Sequence, residues 1–456
     1  TCGCVLAGAV CGIVLFMIGR WVGEQDQVFQ GLLNLKEAVS ASASHLMPSV
    51  AISDALPQAA TTVTSTSTEL PTLRATTPAS TVSAVATPWV DSGSYRYPYD
   101  PGSDAFNAKP LECLRLTTPG LQRFEYPDDA EAHFEELNRT MSAFTKGVRP
   151  LCGKITAGYC GPWIENHWIW TFSAKWKNRP NGTRLRDIFG PYIPILFPFL
   201  DIWIPHFYRY PPGIIETLNQ TMRRNVLYIA LSQSDDSLFG HNLKHWGKFT
   251  LQDFPNLLLM SAGGYGHVPL PLFKQTEDPV HAPPIMDRPY AVSFMGSLNH
   301  GPAGTRTTMK SNAESWGRLR NKSVLIGKGE NWREVMANTS LNLSPRGFGR
   351  NSYRTLELFQ KGLIPIYIHA KGPWLFYRDL WVEEKIGFYT TPDSLGWLLD
   401  RAFSNVTKLL DIEKRIRAMR QTHFMPTGIL DQISKFMTER DGGGDLRCQA
   451  LPDSVL

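Results

Sequence analysis

The chain has 456 residues, 43% of them hydrophobic and 19% charged, with 46 Lys+Arg against 41 Asp+Glu. That composition suits a large globular body with a sizeable core, and 37 Gly, 33 Pro and 7 Cys exclude a collagen-like, wholly disordered or disulfide-scaffold chain. A net charge of +5 is too mild to signal nucleic-acid binding, and no nucleic-acid partner is expected.

Residues 2–18 (CGCVLAGAVCGIVLFMI) carry no charged side chain, and Arg20 and Glu24 end the run. An α-helix needs about 20 apolar residues to cross a bilayer. Residues 1–22 therefore read as a transmembrane signal anchor in preference to a cleaved signal peptide, whose apolar region would be shorter. Cys2, Cys4 and Cys11 lie within it and are candidates for acylation at the membrane face. Residues 23–94 read as a stem, because Ser, Thr, Ala and Pro dominate from 40 to 88 without apolar periodicity. Such a stretch cannot bury enough surface to offset its ordering entropy, and it predicts a disordered stalk of the O-glycosylated kind.

Asn-x-Ser/Thr sequons stand at Asn138, Asn181, Asn219, Asn321, Asn338, Asn342 and Asn405, all beyond the anchor. Asn342 reads as accidental, since it sits in an apolar strand-like run that leads into Pro345. The others favour a lumenal body, because glycosylation marks surface loops exposed to the secretory pathway. Together these segments predict a single-pass type II protein of the Golgi membrane. Cys113, Cys152, Cys160 and Cys448 would then face an oxidising space, with three pairings open and Cys152 to Cys160 the shortest loop to close.

The globular body begins near residue 95. Residues 191–205 (PYIPILFPFLDIWIP) are broken by prolines, so they predict a buried strand and turn and not a second spanning helix. Trp163, Trp168, Trp170, Trp176, Trp203 and Tyr208 offer flat faces for sugar rings, although aromatics of this density mostly build cores. Among their neighbours, Glu165 and His167 are expected to reach solvent. Residues 225–231 (NVLYIAL) and 256–260 (NLLLM) predict strands covered on both faces. Residues 232–237 (SQSDDS) follow the first of these, placing Asp235 and Asp236 at a strand's carboxyl end, where α/β folds hold ligands. Asp236 and His267 are the candidates for a general base. The simpler readings are a helix cap for Asp235 and interior packing for His267. His241 and His245 share the i, i+4 spacing of zinc ligands, but no Glu stands beside them and a solvated helix face is the better reading. Asp-x-Asp occurs nowhere, so no metal site is expected.

In the second half, residues 290–296 (YAVSFMG) and 323–327 (SVLIG) predict strands. Residues 341–368 (LNLSPRGFGRNSYRTLELFQKGLIPIYI) carry the most information. A strand leads into a Pro/Gly turn ending at Arg350. Ser352 then caps a helix with Tyr353, Leu356 and Phe359 at core spacing, Gly362 closes it, and 364–368 returns as a β-branched strand. This is a βαβ crossover, and the alternation of such units predicts α/β architecture with parallel sheet. Gly347 and Gly349 let backbone N–H groups approach an anion, the helix that follows aims its positive end there, and Arg346, Arg350 and Arg354 add charge-assisted contacts. Glu357 is placed to accept hydrogen bonds from ribose hydroxyls. The plainer alternative is an ordinary helix start with an Arg354/Glu357 surface pair worth about 0.2 to 0.5 kcal/mol.

Ser344-Pro345-Arg346-Gly347, Ser352-Tyr353-Arg354, Glu357 and Gly362-Leu363-Ile364-Pro365 resemble the signature of the exostosin family of glycosyltransferases. Phe294-Met295-Gly296 followed by Arg306 resembles the strand and arginine that precede it, and 259–271 (LMSAGGYGHVPLP) resembles the segment joining the family's two halves. The likeness covers roughly 161–420. It implies two Rossmann-like domains of GT-B type: an acceptor-side domain over 95–280 and a nucleotide-sugar-binding domain over 281–425, followed by a tail over 426–456. It also implies inverting transfer from a nucleotide-sugar, a UDP-sugar in the first place, to a glycan or glycoprotein acceptor, with no bound cofactor. By position, Arg346, Gly347, Ser352, Arg354 and Glu357 would line the donor site, with Arg306 near the diphosphate. The sequence departs from the family pattern at Leu358-Phe359, where Ala-Leu is usual, and at Leu363, where Cys is usual. Acceptor identity is therefore not carried over, and a homo- or heterodimer is left open. Two rivals stand beside this reading. A catalytically inactive, glycan-binding or partner-supporting relative would keep the fold and lose the donor contacts. A glycoside hydrolase would have no use for an arginine-rich phosphate turn.

Overall fold

The computed structural model describes residues 100, 103–145, 161–204, 210–234, 251, 253–439 and 444–449. The expected anchor, stem, Cys152, Cys160, Tyr208, Asp235, Asp236, His241 and His245 lie outside these residues. Among the described residues no helix is long and apolar enough to cross a membrane. All belong to the unit Pro88–Leu456, a mixed α/β structure built around two parallel sheets.

The first lobe opens with α1 (Asp104–Arg115), α2 (Ala130–Ser142), α3 (Ile164–Lys177) and α4 (Leu185–Phe189). Strand β1 (Ile193–Ile195) and the short α5 (Phe199–Trp203) then divide the proline-broken run between them, as its prolines require. Helix α6 (Ile214–Thr221) precedes β2 (Tyr228–Ser232), β3 (Leu257–Ser261) and β4 (Val268–Pro269). The four strands pair in the order β1-β2-β3-β4, all parallel. Every residue of β2 and β3 is buried, which is why each reads as a continuous apolar run instead of alternating.

The second lobe starts at β5 (Tyr290–Met295) and continues through α7 (Thr305–Arg320), β6 (Val324–Gly327), α8 (Trp332–Ala337) and β7 (Thr339–Pro345). It proceeds with α9 (Tyr353–Lys361), β8 (Pro365–Ile368), α10 (Arg378–Val382), β9 (Phe388–Thr390), α11 (Leu395–Phe403) and α12 (Val406–Met419). Strand order is β6-β5-β7-β8-β9, all parallel. Numbered within the lobe this is 2-1-3-4-5, a doubly wound sheet whose direction reverses between β5 and β7. Helix α9 follows its sequence signals closely. Ser352 Oγ accepts from Arg354 N–H at 3.3 Å, and Gly362 ends the helix at φ 76°.

The lobes meet through loops at the carboxyl edges of both sheets. Arg350 N–H donates to Gly263 O at 2.8 Å, Asn351 Nδ2 to Leu270 O at 3.1 Å and Trp374 Nε1 to Ser261 O at 3.2 Å. The chain crosses between lobes near Glu277, whose carboxylate accepts from Arg333 and from buried Lys361 at 2.8 to 3.0 Å. Those two cations hold it ionised down to about pH 2 in spite of its burial.

Residues 426–456 are not a plain tail. A π-turn (Arg420–Phe424) leads from α12 into α13 (Pro426–Thr438), which packs back on α3 and α4 of the first lobe. Pro426 at its first turn and buried Ile429, Leu430, Ile433, Phe436 and Met437 give it a helix start and an apolar stripe. Beyond it, Cys448 is bonded to Cys113 on α1, the disulfide among the described residues, and this pairing is compatible with closure of Cys152 to Cys160, which lie outside them. Of the sequons, Asn181, Asn219, Asn321 and Asn405 are exposed, Asn138 and Asn338 half-buried, and Asn342 buried as expected.

Candidate functional site

The topological reversal of the second sheet puts Met295 and Pro345 side by side at the carboxyl edge, each opening a glycine-rich loop. The loop after β5 runs through Gly301 and Gly304 into α7. The loop after β7 runs through Gly347 and Gly349 into α9. They are in close contact: a Cβ on Gly301 would lie 2.8 Å from Gly347 O. A side chain there would drive the loops apart.

Arg306, in the first turn of α7, joins the two loops. Its guanidinium donates to Ser297 O at 2.6 Å, to Arg346 O at 2.7 and 3.1 Å, and to Pro345 O at 3.4 Å. Four of those five N–H groups are thus committed to backbone carbonyls, and the side chain is buried. Arg354 similarly spans from α9 to β5, giving Nη2 to Met295 O at 3.0 Å and Nε to Glu357 Oε2 at 3.0 Å. Its guanidinium also lies over the Trp332 ring, 5.0 Å from the centroid. The Arg354/Glu357 pair is therefore partly buried, with side chains 14% and 9% exposed, and is not a solvated surface pair.

Arg346 curls over its own loop, donating Nε to Gly349 O at 3.0 Å and Nη2 to Phe348 O at 3.1 Å. Gly347 N–H is taken by Asn351 O at 2.9 Å. Arg350 gives Nη1 to Lys371 O at 3.1 Å. Among the described residues, neither Arg306 nor Arg350 meets a carboxylate. Burial and the neighbouring Arg354 pull Arg306 down to about 10, and burial and Arg346 pull Arg350 down as well. Among the described residues, Arg306 and Arg350 thus bring positive charge to this edge without a carboxylate partner.

Sequence reasoning missed His369, at the carboxyl end of β8. Its backbone N–H bonds Thr390 O at 3.0 Å, and its ring lies between Tyr367 and Tyr389, with centroids 6.0 and 6.2 Å away. Its Nδ1 is buried and has no hydrogen-bond partner among the described residues. Burial and Arg346 push its pKa down to about 4, so it is neutral at physiological pH. Its position at the end of a parallel strand was the available signal.

His267 does not suit the role of base. It is buried, its Nδ1 accepts from Leu259 N–H at 3.0 Å, and its Nε2 meets Thr117 Oγ1 at 3.0 Å. Thr117 Oγ1 in turn bonds Leu114 O. Neither ring nitrogen has a lone pair left for an incoming hydroxyl, and burial holds the pKa at about 3. His267 instead ties the end of α1 to β3. Asp236, the other candidate, lies outside the described residues.

Glu165 is also placed differently from its expected solvent-facing position. It is fully buried in the first turn of α3, where Oε1 accepts from Leu200 N–H at 2.9 Å and Oε2 from Gln233 N–H at 3.1 Å. Asp201 nearby accepts from Trp163 Nε1 at 2.9 Å and Asn166 Nδ2 at 2.7 Å. Burial raises the pKa of both carboxyls, Glu165 the more strongly. Trp163, Trp168, Trp176 and Trp203 are core residues, whereas Trp170 is 57% exposed beside His167. No group of His, Cys, Asp and Glu that could hold a metal ion occurs among the described residues.

No protein-family model and no curated protein matches the chain. Among solved structures it is similar to "Crystal Structure of TarM", with TM-score 0.29 and 8% identity over 48% of this chain and 56% of that one. It is also similar to "Crystal structure of GtfA/B complex", with TM-score 0.30 and 11% identity over 49% and 56%. The chain spans a little over half the length of each.

Proposed function

We propose that this chain is an exostosin-like glycosyltransferase that moves a sugar from a nucleotide-sugar, a UDP-sugar in the first place, to a glycan acceptor with inversion. The observation that carries the reading is the convergence of Arg306, Arg346, Arg350 and Arg354 on the glycine-rich loops at the reversal point of the second sheet, beside the start of α9. An anion belongs there on physical grounds. In the reaction, the acceptor oxygen bonds to the anomeric carbon while the bond from that carbon to the diphosphate oxygen breaks. Negative charge then grows on the departing nucleoside diphosphate, where the guanidinium groups and helix-end amides stabilise it. A base takes the hydroxyl proton, and Asp236 is our candidate. Glu357, with one oxygen held by Arg354, has the other to offer a ribose hydroxyl. The absence of Asp-x-Asp from the sequence supports a reaction without a divalent cation. The exposed sequons and the Cys113 to Cys448 bond support a lumenal body on a single-pass Golgi anchor.

Calorimetric titration of the purified protein with UDP and GDP tests the reading, together with a screen for slow hydrolysis of UDP- and GDP-sugars. Arg346→Ala is expected to weaken nucleotide binding about 10- to 100-fold, the range for a lost charge-assisted contact. Absence of binding by either nucleotide would sink the proposal. Binding without hydrolysis of any donor would support the inactive relative instead.

A further inference from the structure

Phe348 stands between Gly347 and Gly349 at the tip of the β7 loop and is 65% exposed. Single exposed apolar residues are common on protein surfaces and need no explanation. This one differs in being braced. Arg346 Nη2 holds its backbone carbonyl at 3.1 Å, and the His300 ring from the β5 loop lies against it, with centroids 5.0 Å apart and planes 35° apart. Arg306 in turn clamps both loops to each other. The outer face of the phenyl ring is thus presented to solvent by a support that leaves it little freedom to turn away.

We propose that Phe348, backed by His300, is the stacking platform for the nucleobase of the donor, which makes it a specificity-determining residue of the site. The inference rests on the donor-binding role of the Arg346 loop. Distance is compatible with it: Arg346 and Phe348 are two residues apart, at most about 7 Å along the chain, the scale of one ribose. Charge supports it. The surroundings are cationic: beyond the effect of burial, Arg306 and Lys328 also disfavour protonation of His300. A flat ring in a positive field fits a ligand that is planar at one end and anionic at the other. An uncharged acceptor sugar would draw nothing from that field, so the nucleotide end of the donor is the better occupant.

Titration of the full chain and its variants with UDP, GDP and inorganic pyrophosphate tests the assignment. Phe348→Ala is expected to weaken UDP or GDP binding about 5- to 150-fold, the span of base–aromatic stacking, and to leave pyrophosphate binding unchanged. Phe348→Trp should restore nucleotide affinity, while Phe348→Leu, apolar but without a π-face, should not. His300→Ala should show a smaller loss of the same kind. If nucleotides bind and Phe348→Ala binds them as well as the unaltered protein, the platform is wrong and the donor site stands. An equal loss of pyrophosphate affinity would mean that Phe348 only shapes the loop, which also overturns the assignment. If none of the three probes binds, the glycosyltransferase reading fails and this inference with it.

Discussion

The carboxyl edges of the two sheets solve opposite electrostatic problems with the same local device. In the second lobe, Arg306, Arg350 and Arg354 direct guanidinium groups onto backbone carbonyls between neighbouring loops. In the first, Glu165 directs a carboxylate onto the backbone N–H groups of Leu200 and Gln233. Each is a charged side chain that ties together two segments the sheet alone would not join. The difference lies in what remains once the ties are made. Burial raises the pKa of the Glu165 and Asp201 carboxyls, which favours their neutral forms and reduces the charge they bring to their edge. The guanidinium groups stay charged although Arg306 is buried and Arg354 nearly so, and they concentrate positive charge at the other edge.

The comparison can be broken most severely at Glu165. Glu165→Ala removes both acceptors and leaves two buried N–H donors orphaned, at about 1 to 3 kcal/mol each, so a loss of about 2 to 6 kcal/mol is expected in chemical denaturation. An unchanged midpoint would show that the carboxyl is not the tie described. Arg306→Lys should do less damage, about 1.5 to 3 kcal/mol, because a single ammonium cannot follow three carbonyls that the fork reaches. It should also weaken UDP binding, which Glu165→Ala should do only through instability.

Acid distinguishes the histidines of the two lobes by a smaller effect. Both His267 and His369 have folded pKa values below the unfolded one, at about 3 and about 4. The unfolded chain therefore takes up protons near pH 6.5 that the folded one refuses, and stability is lost as pH falls from there towards the folded values. His267→Gln should flatten that slope. Only His369 owes part of its shift to a cation, Arg346. An anion bound at Arg346 would raise the His369 pKa, so UDP binding near pH 5 should be accompanied by proton uptake, seen as a buffer-dependent enthalpy. Proton uptake that persists in His369→Gln would remove the histidine from the site.

What was legible in the sequence was local. Ser352, Gly362 and the apolar run of β7 act within a few residues of themselves, and strand, turn and helix followed from them. The roles of charged residues were not legible in the same way. Nothing near Arg306 in the chain signals that its partners are 297, 345 and 346, and nothing near Glu165 points to 200 and 233. These are tertiary bonds to backbone, which has no sequence signature. The partner of Cys113 was illegible for a related reason: loop entropy ranks short closures first, but a bond to Cys448, 335 residues away, follows which segments the fold brings together. Helix α13 is a different case, for Pro426 and the stripe from Ile429 to Met437 are local signals that mark a helix where the family resemblance implies only a tail.

That helix has a consequence for how the protein is made. The surfaces of α3 and α4 that α13 covers, and the thiol of Cys113, wait for partners more than 200 residues downstream. The first lobe to leave the ribosome is therefore the last to be finished. It must keep an apolar flank and the Cys113 thiol uncommitted until residues 426–448 have been made, which leaves it exposed for longer than the lobe made between.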